Sequence, residues 1–147
     1  MNLNKPITGF LAGGFDIIHP GYIEMFEDAK KYCDYLYIFL QTDPSIERPQ
    51  KLKPTLSVED RKKILLALRY VDEVLIYTTE DDLVELIKKV NPDVRILGTD
   101  YIGKSITGQN LPPKIIYTNR EHHKWSQSEF KKMITQSVLN HPHSEMD

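Results

Sequence analysis

Short apolar runs alternate along the chain with segments in which apolar residues recur every three or four positions. Each short run predicts a buried β-strand, and each periodic segment predicts an amphipathic helix. Five strands are predicted, at 7–11, 35–40, 73–77, 94–98 and 114–117. Four helices are predicted: from about 21 to 32, from Ser57 to near Tyr70, from Thr79 to the stop at Asn91-Pro92, and from about Ser126.

This alternation specifies the fold class. Consecutive parallel strands need right-handed crossover connections, which leave helices on both faces of the sheet. We therefore predict an α/β fold, a Rossmann-like doubly wound five-stranded parallel sheet in the order 3-2-1-4-5. In that order the winding reverses between strands 1 and 4, so a ligand crevice should open at their carboxyl ends. Those ends are Gly13-Gly14 and Gly98-Thr99-Asp100.

The stretch from Gly13 to Tyr22 lies at one of these strand ends and reads Gly-Gly-Phe-Asp-Ile-Ile-His-Pro-Gly-Tyr. Glycines let the backbone approach a ligand closely, and the amides of the following helix offer donors and partial positive charge to an anion. His19, at the lip of this turn, could donate to a phosphate oxygen. The alternative is a plain glycine-rich turn with a solvent-facing histidine, and the position at the switch point favours the phosphate site.

Length and composition define the class of protein. A chain of 147 residues fits one domain, predicted at 1–136, and the aperiodic tail at 137–147 is expected to be disordered. The net charge of −2 argues against nucleic acid as the main partner. The single cysteine, Cys33, excludes an intrachain disulfide and is expected in the core. No run approaches membrane-spanning length and no signal peptide is evident, so a cytoplasmic protein without a membrane partner is expected.

The loop from Gln41 to Leu56 is unusually long for a connection between a strand and a helix. It contains three prolines and the basic residues Arg48, Lys51 and Lys53, and it is too polar to be core. Long loops at strand ends often carry function, although a solvated loop is the alternative.

The glycine stretch resembles the G-[TG]-F-D-x-x-H-x-G-H signature of the cytidylyltransferase-like nucleotidyltransferases. Three further segments agree in order: Arg61-Lys62 followed by 69–74, then 98–104, then Arg120 ahead of Ser126-Gln127-Ser128. Within the superfamily the set is most similar to the glycerol-3-phosphate cytidylyltransferases, over roughly residues 7 to 134.

The resemblance implies transfer of CMP from CTP to a small phosphate monoester, either glycerol 3-phosphate or a related polyol or sugar phosphate, with release of pyrophosphate. An acceptor phosphate attacks the α-phosphorus in line, so the protein positions two polyanions and neutralises charge without supplying a nucleophile. Mg²⁺ is the implied cofactor, bound mainly through the nucleotide phosphates and without a dedicated set of protein ligands. A homodimer is expected by resemblance alone.

The resemblance also assigns site residues. The catalytic residues would be His19, Lys53, Arg120 and Tyr22. The nucleotide would be bound by Gly13, Gly14, Phe15, His19, Gly21, Lys51, Asp100, Arg120, Ser126 and Ser128. In this scheme Lys51 and Lys53 bind phosphate oxygens, Arg120 clamps the β and γ groups, and Asp100 meets the amino group of cytosine. Asp16 either braces the turn or lies near the metal.

The chain departs from the signature at its last position, where Tyr22 replaces histidine. A phenol can donate one hydrogen bond but is neutral at pH 7, so it cannot carry the positive charge of an imidazolium. His122 and His123 either substitute for the missing charge or are solvated loop residues. Two alternatives therefore stay open: a nucleotide-binding module with impaired catalysis, and an adenylyltransferase that acts on a sugar phosphate.

Overall fold

Strands and helices alternate throughout the computed structural model, which describes residues 5–119 and 125–141. The strands are β1 (Thr8–Gly13), β2 (Tyr35–Gln41), β3 (Glu73–Tyr77), β4 (Val94–Gly98) and β5 (Lys114–Thr118). The helices are α1 (Pro20–Ala29), α2 (Val58–Ala67), α3 (Glu80–Val90) and α4 (Gln127–Leu139). A short 3₁₀ turn over Thr99–Tyr101 follows β4.

The five strands form one parallel sheet in the order β3-β2-β1-β4-β5, which confirms the predicted fold. β1 and β2 stay paired up to Gly13 opposite Leu40. The pairing of β1 with β4 covers only Gly9 with Val94 and Phe10 with Arg95. The two central strands therefore separate toward their carboxyl ends, and this separation opens the crevice at the switch point.

Apolar side chains cover both faces of the sheet because successive residues of a strand point to opposite sides. One face packs against α1 and α2 through Leu11, Ile38, Leu40, Val74, Ile96, Phe26 and Leu65. The other packs against α3 through Phe10, Phe39, Tyr77, Leu83 and Ile87. Cys33 belongs to the first cluster, as predicted, and burial raises the pKa of its thiol to about 11.

Local signals fix the start of α2 and both ends of α3. The hydroxyl of Ser57 accepts from the amide of Asp60 at 3.1 Å and so caps α2. Thr79 and Asp82 form a capping box at the start of α3. Asn91 adopts the left-handed conformation, with φ of 50°, at the end of that helix. These signals were readable in the sequence, and both helices begin where it predicts.

Three helix ends differ from the prediction. α1 ends at Ala29 rather than near Tyr32, because the amides of Lys31 and Tyr32 donate only three residues back and tighten the chain into a turn. α2 ends at Ala67, since Leu68 is extended. α4 continues to Leu139, into the predicted tail, whose residues 142–147 lie outside the described part. Within the described ranges, no helix is long and apolar enough to cross a bilayer.

Candidate functional site

A cleft of about 290 Å³ opens where β1 and β4 separate. The residues from the end of β1, from the glycine turn and from α1 that line it include Gly13, Gly14, Phe15 and Tyr22. The long loop after β2 contributes Pro44, Arg48 and Lys51. The far walls come from the β3–α3 junction, from β4 itself and from the segment after β4. They include Tyr77, Glu80, Arg95, Tyr101, Ile106 and Thr107. The crevice predicted at the switch point is therefore present, and its walls are partly polar and partly apolar.

The glycine turn is closely packed. A Cβ atom at Gly14 would lie 3.2 Å from Cγ of Pro44, and one at Gly13 would lie 3.3 Å from the ring of Phe15. Phe15 itself has a φ of 43°, a left-handed conformation that is costly for a bulky residue and persists only when its surroundings impose it. The turn is therefore held in one shape by its neighbours.

Arg61 supplies much of this constraint. Its side chain is 2% exposed, and its guanidinium donates to four carbonyl groups. These belong to Leu56 at 3.1 Å, Gly14 and Gln41 at 2.8 Å each, and Thr42 at 2.6 Å. Burial lowers the pKa of Arg61, and nearby carboxylates oppose that shift. Arg61 thus fixes the glycine turn against the end of β2 and the start of α2.

Asp16 braces the same turn from its other side. Its carboxylate accepts from the amides of Thr55 at 2.7 Å and Leu56 at 2.9 Å, and from the ammonium of Lys131 at 2.6 Å. Burial opposes ionisation of Asp16, but these hydrogen bonds outweigh it and lower the pKa of the carboxyl. Of the two roles left open by the sequence, the contacts support bracing. A carboxylate already engaged by three donors fits poorly as a metal ligand.

His19 lies inside an aromatic cluster and is only 3% exposed. Its ring stacks on Tyr22 at 4.2 Å between centroids and on Trp125 at 5.7 Å, and meets Phe130 edge-on at 5.8 Å. The alternative of a solvent-facing histidine is therefore wrong, because the residues at the beginning of α4 cover the imidazole. The assignment of His19 to the triphosphate stays a prediction.

The start of α4 is fastened to the glycine stretch. With its side-chain amide oriented to satisfy both groups, Gln127 donates to the carbonyl of Ile17 at 2.9 Å and accepts from its amide at 2.6 Å. The hydroxyl of Ser126 accepts from the amide of Glu129 at 3.2 Å, so it serves as the N-cap of α4. Ser128 is exposed in the first turn of the helix.

The remaining predicted site residues are dispersed. Lys51 lies in the cleft wall, whereas Lys53, which is exposed, does not contribute to it. Gly21 is buried in the first turn of α1. Asp100 is exposed in the 3₁₀ turn beside the cleft. Arg120, His122 and His123 lie outside the described residues, and their predicted roles stay predictions.

A family model described as cytidylyltransferase-like matches residues 10–136. The chain belongs to the cytidylyltransferase-like family. Its curated relatives include the bifunctional protein HldE of Hyphomonas neptunium, 40% identical over 104 residues that make up 70% of this chain and 21% of that protein. They also include the FAD synthase of Thermococcus kodakarensis, 38% identical over 96 residues, or 65% of this chain and 64% of that enzyme. The chain thus spans about one fifth of HldE and just under two thirds of the FAD synthase.

Solved structures support the same fold for this family member. The lipopolysaccharide core biosynthesis protein from Thermoplasma volcanium superposes with a TM-score of 0.59 and 22% identity, covering 90% of this chain and 89% of that one. This likeness concerns the fold alone. The similarity to HldE and to FAD synthase supports the cytidylyltransferase-like family but not the finer resemblance to glycerol-3-phosphate cytidylyltransferase.

Sequence reasoning missed two arginines of the site. Arg61 appeared only as part of a family segment, yet it shares a helix face with the buried Leu65 four residues later. That spacing was a usable signal of burial. Arg95 interrupts the apolar run of β4, and it is 7% exposed at the inner end of the cleft. A charged residue within a buried strand was the corresponding signal.

Proposed function

We propose that the protein is a nucleotidyltransferase that transfers AMP from ATP to a phosphate monoester and releases pyrophosphate. The observation that carries the proposal is the glycine turn, which ends in the first turn of α1 and opens directly into the cleft. Backbone amides at a helix start suit a phosphate group. Lys51 adds a positive charge to the same wall.

We propose ATP as the nucleotide, instead of the CTP that the sequence resemblance implies, because of the relatives. FAD synthase is named for a product in which AMP is joined to a flavin phosphate. Asp100 does not separate the two nucleotides, since adenine and cytosine both carry an exocyclic amino group that a carboxylate can accept from. The exposed position of Asp100 in the turn after β4 is compatible with either base.

The proposed reaction needs little covalent chemistry from the protein. An oxygen of the acceptor phosphate forms a bond to the α-phosphorus while the bond from that phosphorus to the β-bridging oxygen breaks. Pyrophosphate departs with the electron pair, and no proton has to move if the acceptor is a dianion. Catalysis then consists of alignment and charge stabilisation by groups already in place.

The braced turn suits this role. Asp16 and Arg61 hold the backbone around Gly14 through seven hydrogen bonds in total, three to Asp16 and four from Arg61. Donors fixed before the substrate binds need not reorganise in the transition state. Bound Mg²⁺ would shield the charge of the triphosphate. Because Asp16 is fully engaged by donors, we assign that ion mainly to the phosphates themselves.

Nucleotide choice is tested by thermal shift and by product mass. A ligand that binds only the native state raises its stability by RT ln(1 + [L]/Kd), so ATP with Mg²⁺ should raise the melting temperature more than CTP at equal concentration. Incubation with ATP and a panel of phosphate monoesters should release pyrophosphate and add the mass of AMP to one acceptor. An equal or larger shift with CTP, and a CMP-containing product, would contradict the adenylyl assignment.

A matched pair of lysine variants checks the location of the site. Lys51 and Lys63 are both exposed, but only Lys51 lines the cleft. Lys51→Ala should weaken ATP binding, whereas Lys63→Ala should leave it unchanged. Equal effects of the two substitutions would contradict the placement of the triphosphate at this cleft.

A second candidate function is a nucleotide-binding module without turnover. Its specific support is Tyr22, which stands where the signature has its second histidine and packs on His19. Such a module would bind ATP or CTP with Mg²⁺ in calorimetry, yet form no product over hours with any acceptor of the panel.

A further inference from the structure

The guanidinium of Arg95 is buried at the inner end of the cleft with few partners. Its Nη1 donates to the carbonyl of Thr107, and its Cζ lies 5.2 Å from the ring centroid of Phe10. The Nε atom is buried and has no hydrogen-bond partner among the residues that the structure describes. Across residues 5–119 and 125–141, no carboxylate oxygen lies within 4.0 Å of this guanidinium.

This arrangement is costly for the folded protein. Removing a cation from water costs several kcal/mol unless other groups compensate. Burial lowers the pKa of Arg95, in line with that cost. Arg61, which is also buried, is compensated by four carbonyl groups, whereas Arg95 has one within the described part of the chain. Arg95 therefore retains N–H groups that can donate further hydrogen bonds, and it lines the cleft.

The surrounding wall is positively charged. Arg48 and Lys51 line the cleft together with Arg95, and Glu80 is the one carboxylate among the lining residues. Arg48 already pairs with Glu80 at 3.2 Å. Lys51 and Arg95 are therefore the two cations of the wall without a carboxylate in ion-pairing distance within the described residues.

The position of Arg95 along the strands decides which part of a ligand it can contact. Arg95 lies beside Phe10, the last residue of β1 that pairs with β4. Gly13, at the phosphate-binding turn, is three residues further along the strand, which corresponds to about 10 Å. An acceptor whose phosphate meets the α-phosphate of the nucleotide at the turn would therefore approach Arg95 with its opposite end.

We infer that Arg95 forms an anion subsite for the acceptor, and that the acceptor is a small polyol or sugar phosphate with a second anionic group, a carboxylate or phosphate, at its far end. This inference rests on the proposed function, since it extends the acceptor side of the same cleft. The volume of about 290 Å³ lies at the lower limit for small-molecule pockets and suits a short, charged chain better than a flavin.

Two six-carbon probes isolate the second charge. 6-Phosphogluconate and glucitol 6-phosphate have the same chain and phosphate, but only the first has a carboxylate at C1. In calorimetry the wild-type protein should bind 6-phosphogluconate at least about tenfold more tightly, the margin expected of a charge-assisted pair. In Arg95→Met the ratio should fall to about one. Arg69→Met, a change of an exposed arginine outside the cleft wall, should leave it intact.

Stability distinguishes a ligand site from a structural anchor. If Arg95 served only to hold Thr107, Arg95→Met would lower the urea midpoint. We expect the midpoint to be unchanged or higher, because the substitution removes a buried charge. Arg95→Lys keeps the charge without the planar fork, so it should fold and retain part of the preference for the carboxylate.

Several results would overturn the subsite: equal affinity of the wild-type protein for both probes, binding of neither at millimolar concentration, or an undiminished preference in Arg95→Met. The proposed function fails separately. A carboxylate preference that depends on Arg95, without ATP binding or AMP transfer, would retain the subsite and reject the adenylyltransferase. AMP transfer to an acceptor with a single anionic group, together with equal affinity for both probes, would retain the adenylyltransferase and reject the subsite.

Discussion

The carboxylate of Asp16 accepts a 2.6 Å hydrogen bond from the ammonium of Lys131 and so joins the glycine turn to α4, 115 residues further along the chain. The same carboxylate accepts from the amides of Thr55 and Leu56. One side chain therefore fixes three segments around the entrance of the cleft: the turn after β1, the end of the long loop and the last helix.

Because of this cluster, the stability of the folded protein should decrease at acid pH. The pKa of Asp16 in the folded protein lies below the ordinary 3.8, so its contribution to stability is present above that value and is lost as the pH falls through the folded pKa. We expect Asp16→Asn to lower the urea midpoint at pH 7, and the difference from wild type to narrow below about pH 4. A difference that stays constant down to pH 3 would contradict the charged brace.

Neighbouring lysines provide the control. Lys131 is 18% exposed and pairs with the buried Asp16, whereas Lys132 is 69% exposed and pairs with Glu129 at 3.3 Å. Surface ion pairs contribute little, so Lys132→Met should change the midpoint by less than Lys131→Met.

Replacing Arg61 should lower the free energy of unfolding more than replacing Asp16 does. Arg61→Met leaves the carbonyl groups of Gly14, Gln41, Thr42 and Leu56 without their charged donor, and we expect a loss of about 3 kcal/mol or more in the free energy of unfolding. Urea denaturation measures this loss. Lys63→Ala, on an exposed position of the same helix, should stay within about 0.5 kcal/mol of wild type. A stable Arg61→Met protein would contradict the role of the guanidinium as a brace.

The fold was predictable because its determinants are local. Five apolar runs separated by helical periodicity specify five buried strands, and the handedness of crossovers leaves few ways to arrange them. Helix ends such as Ala29 and Ala67 were not predictable, since the chain there leaves the helix without a glycine or proline to mark the change.

The site was predictable only in part. The glycine turn was found from residue type and position, and Lys51 from the family resemblance; both line the cleft. The burial of His19 depends on Trp125 and Phe130, more than 100 positions away, and no local pattern reports such a contact. The brace at Asp16 was left open for the same reason, because Lys131 approaches it only in the folded chain.

Trp125 provides an optical test of nucleotide binding. It is the only tryptophan, and its ring stacks on His19 at the N-cap of α1. Occupation of the first turn of α1 should therefore change its emission, so we expect a saturable fluorescence change when ATP with Mg²⁺ is added. The Trp125→Phe protein should lose the signal but keep its thermal shift with ATP. A thermal shift in the wild-type protein without any change in emission would show that the nucleotide binds away from His19.

Tyr22 is the residue on which turnover should be judged. Its ring stacks on His19 at 4.2 Å and packs against Phe15 at 5.4 Å, and it lines the cleft. Tyr22→Phe keeps the ring and removes the hydroxyl, so ATP binding should persist. If the phenol donates to a transition-state oxygen, kcat should fall about 10²-fold or more, the usual cost of one lost donor.

Tyr22→His restores the second histidine of the signature and provides the reciprocal measurement. An imidazolium adds positive charge next to the phosphates, so this variant should match or exceed the wild-type kcat with the same acceptor. Unchanged kcat in Tyr22→Phe would reduce Tyr22 to a packing role. Turnover in Tyr22→His, with none in wild type under the same conditions, would favour the binding module over the enzyme. The two variants thus distinguish two roles of Tyr22: it either takes over the donor role of the missing histidine, or its presence abolishes catalysis.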